Sequence, residues 1–220
     1  MTCLICAAEL KKRPSFQELL TLAPSKTLVC SACSSTFEKI AEQHCPLCYR
    51  YGESEVCSDC LYWQKQGKSV NHQAIYCYNT AMKAYFSRYK FQGDYLLRKV
   101  FLNDLKLALK SYREYTLVPI PLSDKRKAER GFNQVTGLLD GTGLSYQELL
   151  IKREVKKQSD KSRAERLQSQ NPFELRFDKA LPDKILLIDD IYTTGMTLQL
   201  AAQLFHEKGV KEIKTFSLAR

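Results

Sequence analysis

The sequence predicts an α/β fold, a parallel sheet flanked by helices, behind a small cysteine-rich module. Three observations carry that expectation. The first is the order strand, helix, strand over residues 184–218: KILLI is an apolar run, 196–208 has helical spacing, and 212–218 is strand-like again. A unit of that length is a crossover between parallel strands. The second is the alternation of further strand and helix patterns from residue 74 onward. The third is that eight of the nine cysteines fall before residue 61, as four C-x-x-C pairs.

A chain of 220 residues has room for one or two domains and a substantial core. Its hydrophobic fraction of 44% and charged fraction of 26% are those of a folded globule rather than a disordered chain. Apolar runs stay short of membrane-spanning length, and MTCLICAAELKKRPSF lacks the charged-then-apolar pattern of a signal peptide. A cytoplasmic place without an integral membrane segment is expected. The net charge is +10, and the excess lies almost wholly after residue 72. Such a balance favours anionic partners.

The cysteine pairs are Cys3/Cys6, Cys30/Cys33, Cys45/Cys48 and Cys57/Cys60. Each short spacing lets two thiolates face one tetrahedral ion, and two pairs close one site, so two structural Zn²⁺ are expected. Taken in order, Cys3, Cys6, Cys30 and Cys33 form one site and Cys45, Cys48, Cys57 and Cys60 the other. An interleaved pairing satisfies the same spacing. A reducing compartment argues against disulfides, and a redox C-x-x-C normally occurs once, beside a βαβ pattern. Closed thiolate sites leave no open coordination position, which makes them structural. Near-balanced local charge suits docking of a partner better than DNA contact. Cys77 reads as a small buried hydrophobe, and His44 is superfluous as a ligand.

Residues 61–73 are polar after an aromatic start and read as a linker, giving a zinc-ribbon domain over 1–66 and an α/β domain over 67–220. A strand follows at 74–79, then two helices within 81–112 broken at Gly93. TLVPIPL, 116–122, is a strand closed by its prolines. SDKRKAERGFNQVTGLLDGTG reads as a basic turn and a helix starting near Phe132, and 145–150 as another short helix. Residues 151–177 are mostly charged and polar, and by themselves read as a surface loop or a solvated helix.

KILLIDDIYTTGMTL carries the chemistry. In open α/β sheets, ligands bind beyond the carboxyl ends of strands, and Asp189 and Asp190 stand at that edge. Carboxylates there accept hydrogen bonds from a vicinal diol such as that of ribose. Thr193, Thr194, Gly195, Met196 and Thr197 turn into a helix whose N-terminal amides make an anion site. Diol binder and phosphate cradle together match a ribose 5-phosphate. A Walker B strand would look similar, but its G-x-x-x-x-G-K-[ST] partner is absent from the sequence. A simple helix cap needs one carboxylate, not two adjacent ones.

IDDIYTTGMTL resembles the phosphoribosyl-pyrophosphate loop of type I phosphoribosyltransferases. With VPIPLSDKRKAERGFNQ, QSDKSRAERLQSQNPFEL and the cysteine pairs, nearly the whole chain resembles the ComF family, whose fold is a phosphoribosyltransferase-like sheet behind a double zinc ribbon. The resemblance implies pyrophosphate contacts from Lys125, Arg126 and Arg130, and from Lys90 in YKFQG. It also turns 151–177 into a lid carrying Gln158, Arg163, Arg166 and Asn171. Mg²⁺ would accompany the pyrophosphate.

The resemblance further implies a role in uptake and cytoplasmic handling of transforming single-stranded DNA. The implied partners are a ComFA-type ATP-dependent helicase and other DNA-processing competence proteins, which would recruit the chain to the inner face of the membrane. The absence of a Walker A loop fits a need for an ATP-driven partner. No acceptor site for a phosphoribosyl group is recognisable, so transferase activity stands as the alternative reading. Tyr85, Phe86, Tyr89, Phe91 and Phe132 could stack on bases, but their spacing favours core packing.

Overall fold

A computed structural model of the protein describes residues 1–10, 28–154, 171–176 and 181–220. Its centre is a parallel four-stranded sheet built from β1 (His72–Tyr76), β2 (Thr116–Pro119), β5 (Lys184–Ile191) and β6 (Glu212–Ala219) in the order β1-β6-β5-β2. A separate antiparallel hairpin pairs β3 (Leu150–Lys152) with β4 (Phe173–Leu175). Inner strand β5 is covered on both faces, which is why Ile185 through Ile188 read as a continuous apolar run rather than an alternating one.

The two faces have different covers. Leu186, Ile188, Phe216 and Leu218 point to one side and meet α3 (Thr80–Phe91), α4 (Leu102–Leu109) and α6 (Gln134–Asp140). Helix α3 turns Met82, Tyr85, Phe86 and Tyr89 inward, three or four residues apart, and the Asn79 side chain caps it by accepting from Met82 N at 3.0 Å. Ile185 and Leu187 point the other way, to Leu198, Ala201, Ala202 and Phe205 of α7 (Met196–Glu207). That second core also takes in Cys45, Cys48, Cys57, Cys60 and Trp63. The second cysteine group is thus packed into the sheet's own core.

Several boundaries differ from the sequence expectation. The presumed linker at 61–73 is instead occupied by α2 (Ser58–Lys65) and the start of β1, with Trp63 buried. Its polar composition hid a helix that contributes only Cys60 and Trp63 to the core. The first strand begins at His72, not at residue 74, because His72 is buried against Thr215 and Ser217. The basic turn is a helix, α5 (Asp124–Arg130), with no buried residue and hence no apolar periodicity to read. Gly131, at φ +80°, ends it, and Asn133 caps α6 by accepting from Val135 N at 2.8 Å. Residues 145–150 form no helix; Tyr146 bridges to Leu117 and Leu150 opens the hairpin. The break at Gly93 is present, at φ +69°. One four-residue helix, α1 (Ser31–Ser34), follows Cys30.

Phe205 is fully buried between α7 and the sheet. Phe205→Ala is expected to cost about 3–5 kcal/mol through lost burial and an incompletely collapsed cavity, read by chemical denaturation.

Candidate ribose-phosphate site and cysteine centres

The site lies where β5 ends. Asp190 is 4% exposed and Asp189 half-buried, and the Asp189 carboxylate accepts from Asp190 N at 2.9 Å. Lys90, near the end of α3, forms an ion pair with Asp190. Burial and the Asp190 carboxylate beside it push the Asp189 carboxyl up to about 8.

Arg130 and Lys152 complete the electrostatic frame. The Asp190 charge acts on Arg130, and both carboxylates act on the half-buried Lys152 of β3. The RGFNQ segment places Arg130 by local means. Gly131 reverses the chain, Phe132 packs on Tyr89 and Tyr95, and Asn133 Nδ2 donates to Ile120 O at 3.0 Å. Arg130 also donates to the Gln134 side chain.

Downstream, Thr193, Thr194 and Met196 are exposed, while Gly195 is buried at φ +81° as the N-cap of α7. A Cβ on Gly195 would lie 2.2 Å from the Tyr192 hydroxyl oxygen, so only glycine fits. No side chain caps α7. Met196 N donates to Thr194 Oγ1 at 3.5 Å, and the other amides of the first turn would be open to an anion.

The loop is held from outside. Trp63 Nε1 donates to Thr194 O at 2.8 Å. Arg220 donates to Thr193 O, to Asp59 Oδ2 at 3.0 Å and to Cys48 Sγ at 3.4 Å. Its guanidinium lies 4.7 Å over the Tyr192 ring, and that ring packs 4.2 Å from His72. His72 is buried between two hydroxyls, and burial, with Arg220 beside it, holds its pKa well below the usual value. The imidazole is neutral and serves as packing beneath the loop.

The eight paired cysteines gather in sequence order, Cys3, Cys6, Cys30 and Cys33 in one group and Cys45, Cys48, Cys57 and Cys60 in the other, with sulfurs of each group within 4.8 Å of one another. Cys45 and Cys60 sulfurs are 3.8 Å apart, those of Cys48 and Cys57 3.5 Å, and those of Cys6 and Cys30 3.8 Å. Tetrahedral Zn–S bonds of about 2.3 Å put sulfurs roughly 3.8 Å apart. Backbone amides of Cys30, Cys33 and Cys57 donate to Cys3, Cys30 and Cys45 sulfurs. Four clustered sulfurs at these separations are the donor set of a closed tetrahedral thiolate site. Each group could hold one zinc ion. His44 stacks on Tyr49 and its Nδ1 meets Cys45 O, outside the ligand set.

Among the other expected residues, Arg126 lines a cavity with Lys90 and Arg130 beside Asp190, whereas Lys125 is exposed on α5 and does not line it. Asn171 donates to Leu200 O at 2.7 Å and so ties β4 to α7. Gln158, Arg163 and Arg166 lie outside the described residues. Sequence reasoning missed Lys152, Trp63, Tyr192 and Arg220. Trp63, the chain's single tryptophan, three residues after a cysteine pair, was the one signal available.

Comparison with known proteins agrees with the fold. Residues 146–220 match the phosphoribosyl transferase domain family model. The chain is 50% identical to competence protein ComFC of Streptococcus pneumoniae over the whole of both chains. It is 36% identical to competence protein ComFC of Bacillus subtilis, over all of this chain and 95% of that one. Competence protein F of Haemophilus influenzae is 27% identical, over 89% of this chain and 92% of that one.

Two outcomes follow from the geometry. Because the Asp189 carboxyl is raised in the folded state, the native chain binds more protons than the unfolded one between about pH 4 and pH 8, and this group makes stability fall as pH rises through that window. Asp189→Asn should flatten that slope and raise Tm at pH 8. Trp63→Phe keeps an aromatic ring but leaves Thr194 O without its donor. A loss of about 1–2 kcal/mol in denaturation is expected.

Proposed function

The chain belongs to the ComFC family of competence proteins, and from that premise we propose that it acts in uptake and cytoplasmic handling of transforming single-stranded DNA. In this reading a ribose-phosphate site of the phosphoribosyl-pyrophosphate type is retained and used. The observation that carries the reading is the juxtaposition at the end of β5: two carboxylates, a glycine that tolerates no side chain, and an uncapped helix start. A diol on the carboxylates and a phosphate on the amides are the complementary ligand groups. Were Mg²⁺ to accompany a bound pyrophosphate, it would neutralise phosphate charge there, with Asp189 and Asp190 the nearest carboxylates on this edge.

Residues 1–66 would act as the double zinc ribbon and 67–220 as the phosphoribosyltransferase-like part. No helix among the described residues is long and apolar enough to cross a membrane. Recruitment to the membrane would therefore run through partners: a ComFA-type ATP-dependent helicase and other DNA-processing competence proteins. Lys90, Arg126, Arg130 and Lys152 supply cations for phosphates at the site. The lid role of Gln158, Arg163 and Arg166 belongs to the same reading.

The second reading is an active transferase, passing ribose 5-phosphate to an acceptor and releasing pyrophosphate. The doubled carboxylate and the helix terminus that favour ligand binding favour it equally, since such transfer relies on positioning and charge stabilisation more than on a general base. Release of pyrophosphate on adding a base or nucleotide acceptor would promote it.

The test is Asp189→Ala with Asp190→Ala, made after confirming fold and metal content. Phosphoribosyl pyrophosphate binding by calorimetry should disappear and transformation efficiency should fall at least tenfold. Lost ligand binding with unchanged transformation would separate the site from DNA import.

A further inference from the structure

Resting on the single-stranded DNA reading above, we propose that Phe91 is a base-stacking shelf for a single DNA strand, with Arg126 and Arg130 holding the adjoining phosphates. Phe91 closes α3, two residues beyond Tyr89 and so off the helix's inward stripe. At 77% it is the most exposed large apolar side chain among the described residues. Its neighbours Tyr85, Phe86 and Tyr89 are core residues, so the aromatic run on this helix divides into three packing rings and one presented to solvent.

A solitary exposed phenylalanine is ordinary. This one is set among cations. The Arg130 guanidinium lies over its ring, 5.4 Å from the centroid. Phe91 lines a cavity of about 330 Å³ with Lys90, Arg126, Glu129 and Arg130. Lys90 is turned to Asp190 at the ribose-phosphate edge, so the two arginines are the cations beside the Phe91 ring itself. An aromatic face beside cations tracking a backbone is the recognition chemistry of unpaired nucleic acid, where stacking tolerates any base.

The shape of the cavity favours a strand over a free nucleotide. Small-molecule sites bury most of their ligand, whereas Phe91, Arg126 and Glu129 are all exposed and form an open shelf. A base can lie on the ring while the chain continues past it on both sides. The shelf adjoins the Asp189–Asp190 pair through Lys90, so strand and ribose-phosphate ligand would occupy neighbouring ground.

The experiment uses the full, zinc-loaded chain and fluorescence anisotropy at fixed salt. Its probes are a labelled oligothymidylate and an abasic strand of equal length. Phe91→Ala should weaken oligothymidylate binding about tenfold. Phe91→Trp should retain it, and the abasic strand should bind wild type and Phe91→Ala alike. Thermal denaturation and zinc content serve as the fold control, and the side chain's exposure means that truncation removes no core contact. Equal oligothymidylate affinity for wild type and Phe91→Ala, or equal wild-type affinity for abasic and base-bearing strands, overturns the shelf alone. Thymidine monophosphate competing as well as the strand would overturn the strand assignment. A wild type that binds no strand removes both the shelf and the DNA reading on which it rests.

Discussion

The loop between β5 and α7 holds its shape because two side chains grip its carbonyls. Trp63 donates to Thr194 and Arg220 to Thr193, and both donors are anchored at the second cysteine group. A loop that must present its amides to a phosphate cannot satisfy its carbonyls with those same groups. Donors from outside leave the ligand side of the loop open. Cys45, Cys48, Cys57 and Cys60 share one buried core with Ile185, Leu187 and Phe205, so the cysteine centre and the sheet edge form a continuous support.

The carboxylate pair has the opposite character. Asp189 and Asp190 sit at the end of a strand whose preceding residues are almost wholly buried, and their proximity disfavours double ionisation. Lys90 relieves part of that cost by pairing with Asp190. An isolated fold would be more stable with one neutral residue there, and under the proposed reading a bound ligand would offset that cost. The stability of the loop and the instability of the pair are thus two sides of one binding edge.

Much of this was legible in the sequence. KILLIDDIYTTGMTL announced a strand, a carboxylate edge and a helix start, because buried inner strands are continuously apolar and a glycine marks the tight turn. The cysteine pairs announced two centres but left the pairing open, which only the positions of the sulfurs resolved. What stayed hidden lacked periodicity. Helix α5 buries nothing, α2 buries two residues, and Lys152 belongs to a three-residue strand. Arg220 acts across more than a hundred and fifty residues of sequence, on Asp59 and Cys48, and no local pattern encodes such a contact.

The central claim is that the cysteine centre sets the conformation of the ribose-phosphate loop. Hydrogen exchange of the amides of 193–197, in metal-loaded chain before and after chelation, tests it most directly. The account predicts that chelation accelerates exchange in this loop and in α2 while α3 keeps its protection. Unchanged protection of 193–197 after the metal is removed would contradict it.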